Sequence, residues 1–279
     1  MTQAHDPERG PPGRDEARAA FDAKAQEWDT YSRAPLGRLR SGLTLHYLGR
    51  HLDGRPAPLA VLDAGTGTGS YAFPLAQEGH HVCLLDVSAS MLDVARRNAA
   101  DLDPALLERL DFCQASAHEA PALYGPDHFD LILCHTLLEY VPDPRDLLRA
   151  LVVSLKPGGL LSLLAVNPHA DALRWALAKG DLEQARQALG QTRSSTTLFG
   201  VNRQVYTGQA LHQVLAELGI EALASYGVRV FADYLPADRL ADAAFVDQLW
   251  TLERDAGLLE PYAQVARYNL LVGLKPAAA

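Results

Sequence analysis

The 279-residue sequence predicts a doubly wound α/β fold, a mostly parallel sheet with helices on both faces. Three observations carry that prediction. Short apolar runs alternate along the chain with stretches of helical period. The runs are apolar at nearly every position, as strands covered on both faces must be. The first of them ends in "DAGTGTGS" (Asp63 to Ser70), a glycine-rich turn that opens a helix.

The elements follow in order. Residues 1–14, with Pro7, Pro11, Pro12 and Gly13, read as a flexible tail, and 15–279 as one domain. Residues 15–31 are rich in helix formers and put Phe21 and Trp28 seven apart on one face. A second helix over 36–52 is ended by Pro56 and Pro58. Strand 59–64, helix 70–78 and strand 81–86 make a βαβ unit, which is right-handed almost without exception. Ser88 caps the next helix. Further strands are expected at 111–115, 129–135, 160–166 (after the "KPGG" turn at 156–159), 222–231 and 266–274, making seven. Helices are expected at 144–155, 171–189, 209–218 and 237–255, with a polar loop over 190–204.

Net charge is −9, so no global basic field holds nucleic acid, and DNA is not an expected partner. The charge is uneven. Residues 59–166 carry 14 acids against 6 bases, whereas 30–58 carry five arginines against Asp53 alone. The three cysteines, Cys83, Cys113 and Cys134, each sit in an apolar run and read as core thiols of a cytoplasmic protein. No stretch approaches a membrane span. No metal site is expected, because the adjacent His80 and His81 point to opposite faces of a strand.

The chemistry starts at the glycines. Gly65, Gly67 and Gly69 let the backbone turn sharply and approach a ligand closely. Ser70 stands where a dinucleotide fingerprint wants Gly or Ala. Asp86 ends the second strand, where a carboxylate can accept both hydroxyls of an adenosine ribose. Met91 fits an adenine face or a plain core position equally well.

"VLDAGTGTG", "LLDVSASML", "FDLILCHTLLEYVPDP" and "LKPGGLLSLL" resemble motifs I, post-I, IV and post-VI of class I S-adenosylmethionine-dependent methyltransferases. The resemblance implies a Rossmann-like seven-stranded sheet with its last strand antiparallel, and S-adenosylmethionine as cofactor. It implies that Gly65, Thr66 and Gly67 line the methionine half of the cofactor, that Asp63 belongs to the cofactor site, and that Asp86 holds the ribose. Ser116 and Ala117 would border the adenine, and His135 would face the sulfonium.

A narrower resemblance covers about residues 15–275. "YGVRVFADYLP", "EPYAQVARYNLLV" and "LRSGL" look like segments of the tRNA 5-carboxymethoxyuridine methyltransferase family, which esterifies a carboxylate on the wobble uridine. It implies that Arg40 reaches the methionine carboxylate of the cofactor and that His135 stands beside the transfer path. An acceptor carboxylate is already ionised and needs a cation to orient it. Arg229 is the first candidate and Arg267 the second, with Tyr234, Tyr206, Asn167 and His169 completing the pocket. Residues 167–206 are expected to cap that pocket. The family's lysine run is absent there; Arg186, Arg193 and Arg203 stand without it, which implies fewer phosphate contacts to tRNA. A small-molecule O- or N-methyltransferase, a nicotinamide-dependent dehydrogenase and a non-catalytic binding protein are the alternatives. The sequence gives no oligomeric state.

Overall fold

The computed structural model describes residues 11–196 and 198–277, so most of the expected N-terminal tail lies outside the described residues. Nine strands occur among these residues. They are β1 (Ala60–Ala64), β2 (His81–Asp86), β3 (Leu110–Gln114), β4 (Phe129–His135), β5 (Leu155–Val166), β6 (Arg193–Ser195), β7 (Asn202–Gln204), β8 (Glu221–Val228) and β9 (Tyr268–Leu274). Seven of them form one sheet in the order β3-β2-β1-β4-β5-β9-β8, and β6 with β7 forms a separate hairpin. β1 to β5 pair in parallel, while β9 runs antiparallel between β5 and β8. The expected seven strands and antiparallel last strand are both present.

The helices are α1 (Arg14–Arg33), α2 (Pro35–Leu52), α3 (Ala72–Gln77), α4 (Ala89–Leu102), α5 (Ala120–Tyr124) and α6 (Pro144–Ser154). After β5 come α7 (His169–Leu173), α8 (Leu182–Ala188), α9 (Gly208–Glu217), α10 (Ala243–Ala256) and α11 (Glu260–Ala263). Strand alternation divides the core between the two faces of the sheet. Val61 packs in one cluster with Tyr47 and Leu92, whereas Leu62 and Ala64 join Leu147 and Leu151 on the other. Each such leucine, fully withdrawn from water, stabilises the fold by roughly 1.5–3 kcal/mol.

Four elements differ from expectation, each for a local reason. β5 begins at Leu155, because Leu155 still pairs with Phe129; the Lys156–Gly159 turn bulges out before Leu160 rejoins opposite Leu131. The helix expected over 171–189 is broken. After α7 one wide turn covers Arg174–Ala178, Gly180 takes φ +66°, and the Asp181 side chain accepts from Gln184 N to start α8. The polar loop over 190–204 contains the β6–β7 hairpin. The helix expected from 237 starts at Ala243, where the Asp242 side chain caps the N–H groups of Ala244 and Phe245.

Two tethers position the site. Asp22 Oδ1 on α1 accepts from Ser88 Oγ at 2.6 Å and Ser90 N at 3.2 Å, and Asp29 Oδ1 accepts from Asn98 Nδ2 at 2.7 Å. α1 is thereby held across the start of α4, with Phe21 and Trp28 over the carboxyl ends of the strands. The second tether is Glu253 on α10, which is fully buried. Its carboxylate accepts from the backbone N–H groups of Val230, Phe231 and Ala232. β8 ends at Val228, and the next residue, Arg229, has a φ of +62°, a left-handed conformation uncommon for a side-chain-bearing residue.

Glu253→Ala should therefore destabilise the protein by about 3 kcal/mol or more, because two buried N–H groups and a half-buried one lose their acceptor. Urea denaturation checks this; a loss under about 1 kcal/mol would mean that water takes over the three donors.

Candidate active site

The glycine-rich turn after β1 is built on positive φ: +73° at Gly65, +57° at Gly67 and +87° at Gly69. It is pinned from below. Gly65 N and Thr66 N both donate to the Leu85 carbonyl, and Thr66 Oγ1 donates to Asp63 Oδ2 at 2.7 Å. Burial pushes the Asp63 carboxyl up to about 7, against the Thr66 hydrogen bond. A Cβ at Gly67 would stand 3.0 Å from Trp28 Nε1, and one at Gly65 2.9 Å from Leu137. These glycines leave a cradle that a side chain would fill.

That cradle opens into a cavity of about 400 Å³, within the range of small-molecule sites. Gly65, Gly67, Asp86, Met91, Ser116 and Ala117 all line it, so six of the expected cofactor residues converge on one space. Asp86 is buried and accepts Gly67 N through Oδ2 and Ser88 N through Oδ1, both at 2.9 Å. One lone pair on each oxygen is left for a diol. Burial, opposed by those hydrogen bonds, pushes its carboxyl up to about 6. Ser116 starts a capping box with Glu119.

The roof was not expected. Phe21 and Trp28 from α1 and Tyr140 after β4 meet Phe199 from the β6–β7 hairpin, with Phe21 and Phe199 edge-to-face at 4.7 Å. The seven-residue spacing of Phe21 and Trp28 was visible in the sequence, but it announces only one buried face. Nothing in the sequence ties Phe199 to it.

Four expected cofactor residues lie outside the cavity wall. Asp63 and Thr66 brace the turn from behind. Arg40 is buried beneath Trp28, 4.8 Å from the ring centroid, with Tyr31 at 5.5 Å and Tyr268 at 5.9 Å. Its Nε has no hydrogen-bond partner, and no described carboxylate lies within ion-pair distance. Burial opposes this charge, while Tyr71, Tyr268 and Tyr31 around it hold its pKa above the ordinary value. His135 is also buried. It shares a 2.9 Å hydrogen bond with Ser162 Oγ through Nε2 and packs 4.4 Å from the Tyr71 ring. Burial, then Arg40, pulls it down to about 3, so the imidazole is neutral and has no proton to give near pH 7.

The expected acceptor residues cluster at the ends of β5, β8 and β9, but most are already engaged. Arg229 forms a two-pronged ion pair with Asp233 and donates to Tyr31 Oη at 2.8 Å. Arg267 pairs with Asp171, which Arg174 also contacts. Neither Arg229 nor Arg267 is the free cation that the sequence reading assigned to a substrate, because each faces an acid that the sequence could not place beside it. Asn167 spends its amide on the Gln264 and Ala266 carbonyls, and His169, exposed, contacts the Gln264 carbonyl. Tyr206 shares its proton between Gln204 Oε1 and the Leu138 carbonyl. Tyr234 is half-buried, its phenol pushed up to about 12 by burial and by Asp233. Tyr31 stands between two guanidiniums. Burial would push its phenol up, but Arg229 and Arg40 outweigh it and bring it down to about 7.

The sequence profile of a methyltransferase domain matches residues 57–219. The chain is 33% identical over 244 residues to the tRNA 5-carboxymethoxyuridine methyltransferase of Escherichia coli, covering 86% of this chain and 89% of that protein. It belongs to that family of class I S-adenosylmethionine-dependent methyltransferases. A ubiquinone biosynthesis O-methyltransferase of Pectobacterium carotovorum is 34% identical over 162 residues, 57% of this chain and 64% of the relative. Among solved structures, the Burkholderia thailandensis 1,6-didemethyltoxoflavin-N1-methyltransferase with bound S-adenosylhomocysteine superposes with a TM-score of 0.59. It covers 97% of this chain and 94% of its own length at 18% identity, a likeness of fold. The enzyme is a methyltransferase and its methyl donor is S-adenosylmethionine. Two features fit that donor: the glycine cradle, and the buried guanidinium of Arg40, whose Nε is unpartnered and which has no described carboxylate in ion-pair distance.

Asp86→Ala should weaken S-adenosylhomocysteine binding by about 1.5–3 kcal/mol. Wild-type affinity should also fall as pH drops through about 6, where the Asp86 carboxylate takes up a proton. Calorimetry from pH 5 to 8 checks both, and a flat profile with an unaffected variant removes Asp86 from the site. Arg40→Met should weaken the same ligand by about 1.5–3 kcal/mol and lower the thermal midpoint of the ligand-free protein, because Tyr71, Tyr268 and Tyr31 outweigh burial and favour the charged guanidinium. A higher midpoint would mean that the surrounding rings leave the charge uncompensated.

Proposed function

We propose that this enzyme methylates a carboxylate on a modified tRNA wobble uridine in the cytoplasm. One observation carries the carboxylate. At the acceptor end, four guanidiniums (Arg174, Arg203, Arg229 and Arg267) face two carboxylates, Asp171 and Asp233. The third acid there, Glu139, is pushed up to about 7 by burial. An excess of buried positive charge recruits an anion. The likeness to the E. coli tRNA enzyme over most of both chains supports tRNA as its carrier.

The bound donor supplies an electrophilic methyl group on a sulfonium. The chain's part is positioning, because an ionised acceptor needs no general base. His135, neutral and held by Ser162, shapes the floor of the transfer path and moves no proton. Asp86, Gly65 and Gly67 orient the nucleoside and amino-acid parts of the donor, with Met91, Ser116 and Ala117 around the adenine. Arg40 takes the donor's carboxylate once Trp28, which covers it, moves aside. Residues 167–206 serve as the cap of a single domain, and Phe199 within them closes the cavity.

A small-molecule acceptor is the second reading. The net charge of −9 and the absence of a lysine run over 167–206 favour it. No helix among the described residues is long and apolar enough to cross a membrane.

Transfer of labelled methyl from S-adenosylmethionine to bulk tRNA and to a small-metabolite extract separates the two. Label in tRNA that mild base releases, as it does an ester, is the expected result. Label confined to the small molecules overturns the tRNA acceptor.

A further inference from the structure

We infer that Arg203, on the β6–β7 hairpin, is the residue that binds the acceptor's carboxylate and selects an acid over its neutral ester. The inference rests on the carboxylate reading above and names the side chain that performs it.

The case is one of elimination followed by placement. Of the four arginines at the acceptor end, Arg229 is locked by Asp233, Tyr31 and a left-handed backbone that Glu253 holds in place. Arg267 and Arg174 share Asp171. Withdrawing Arg229 from Asp233, or Arg267 from Asp171, would strip a buried carboxylate of its closest partner, a cost that any new contact must first offset, and Arg174 is held at 3.3 Å on the same Asp171. Arg203 differs. Its Nε donates to Ser194 Oγ at 2.8 Å, and it forms no ion pair among the described residues. It is half-buried, so an incoming group can reach it while part of the surrounding water is already excluded.

Its place in the fold points the same way. β7 lies along the Leu138–Tyr140 turn that follows β4, where Tyr206 contacts the Leu138 carbonyl. Arg203 leans on the Tyr140 hydroxyl, and Tyr140 is part of the cavity wall. Four residues earlier on the hairpin, Phe199 packs on Phe21 and Trp28 to close that same cavity. One short hairpin therefore carries both the lid of the cofactor cavity and a guanidinium in no ion pair among the described residues, with Asp171 and Glu139 within its field. Asp171 is already engaged by Arg267 and Arg174, and Glu139 gives one oxygen to Val166 N and leaves the other without a partner. With Nε held by Ser194, the Nη groups at the end of the guanidinium are left for a planar carboxylate, next to Tyr140.

The test uses the full-length protein saturated with S-adenosylhomocysteine and titrated calorimetrically with 5-carboxymethoxyuridine nucleoside and with its methyl ester. Wild type should bind the acid at least tenfold more tightly than the ester. Arg203→Ala should lose that preference with its S-adenosylhomocysteine affinity unchanged, and Arg203→Lys should restore part of it. A hairpin that is merely loosened would weaken both ligands alike and leave the ratio intact. The inference is overturned if wild type does not separate acid from ester, or if Arg203→Ala separates them as well as wild type does. The tRNA acceptor is judged apart from this. Acid binding through Arg203 with no label in tRNA would keep the carboxylate site and reject tRNA, whereas labelled tRNA with an indifferent Arg203→Ala would do the reverse.

Discussion

A guanidinium taken out of water needs negative charge or strong dipoles around it, and Arg40 has only aromatic rings and phenols. Much of the site's electrostatics responds to that one residue. It helps Arg229 to draw the Tyr31 phenol down and adds to the burial that keeps His135 neutral, and its field reaches Tyr71 and Glu139. Tyr31 in turn takes a hydrogen bond from Arg229, so the cofactor side and the acceptor side are joined through one phenol. The arrangement keeps Arg40 charged with no described acid in ion-pair distance and Nε unpartnered, which is a reason for an anion to bind.

The sheet was legible because its signal is local. Continuous apolar runs marked β2 and β4 to the residue and β1 to within one, and the glycine turn with Asp86 located the cavity floor. Helix 171–189 failed as a single element because its Ala/Leu content outweighed Gly180 and Asp181, which together form a stop and a new cap. Acceptor residues failed for a different reason. Asp171 and Arg267 lie 96 positions apart, and no periodicity reports which acid a buried arginine will meet. Glu253, a lone acid on an otherwise ordinary helix, gave no sign that it would gather three backbone donors.

The two halves of the site are therefore held by different means. The cofactor side is backbone-built: left-handed glycines, carbonyls of Leu85 and a carboxylate that accepts N–H groups. Its shape follows from the strand ends and changes only if the sheet does. The acceptor side is built from long charged side chains whose positions depend on partners in remote segments. Such a lattice is specific when every member is paired and permissive where one is not.

α8 buries none of its side chains, and the hairpin beyond it meets the body through Phe199, through Val205 and along the Leu138–Tyr140 turn. In evolutionary terms this segment is an exchangeable cassette. A descendant could trade residues between α7 and α9 for another loop and meet a new acceptor without disturbing the folding core. The exchange has one condition. The incoming loop must bring an aromatic ring to the place of Phe199, or Phe21 and Trp28 lose the partner that shuts the donor's chamber.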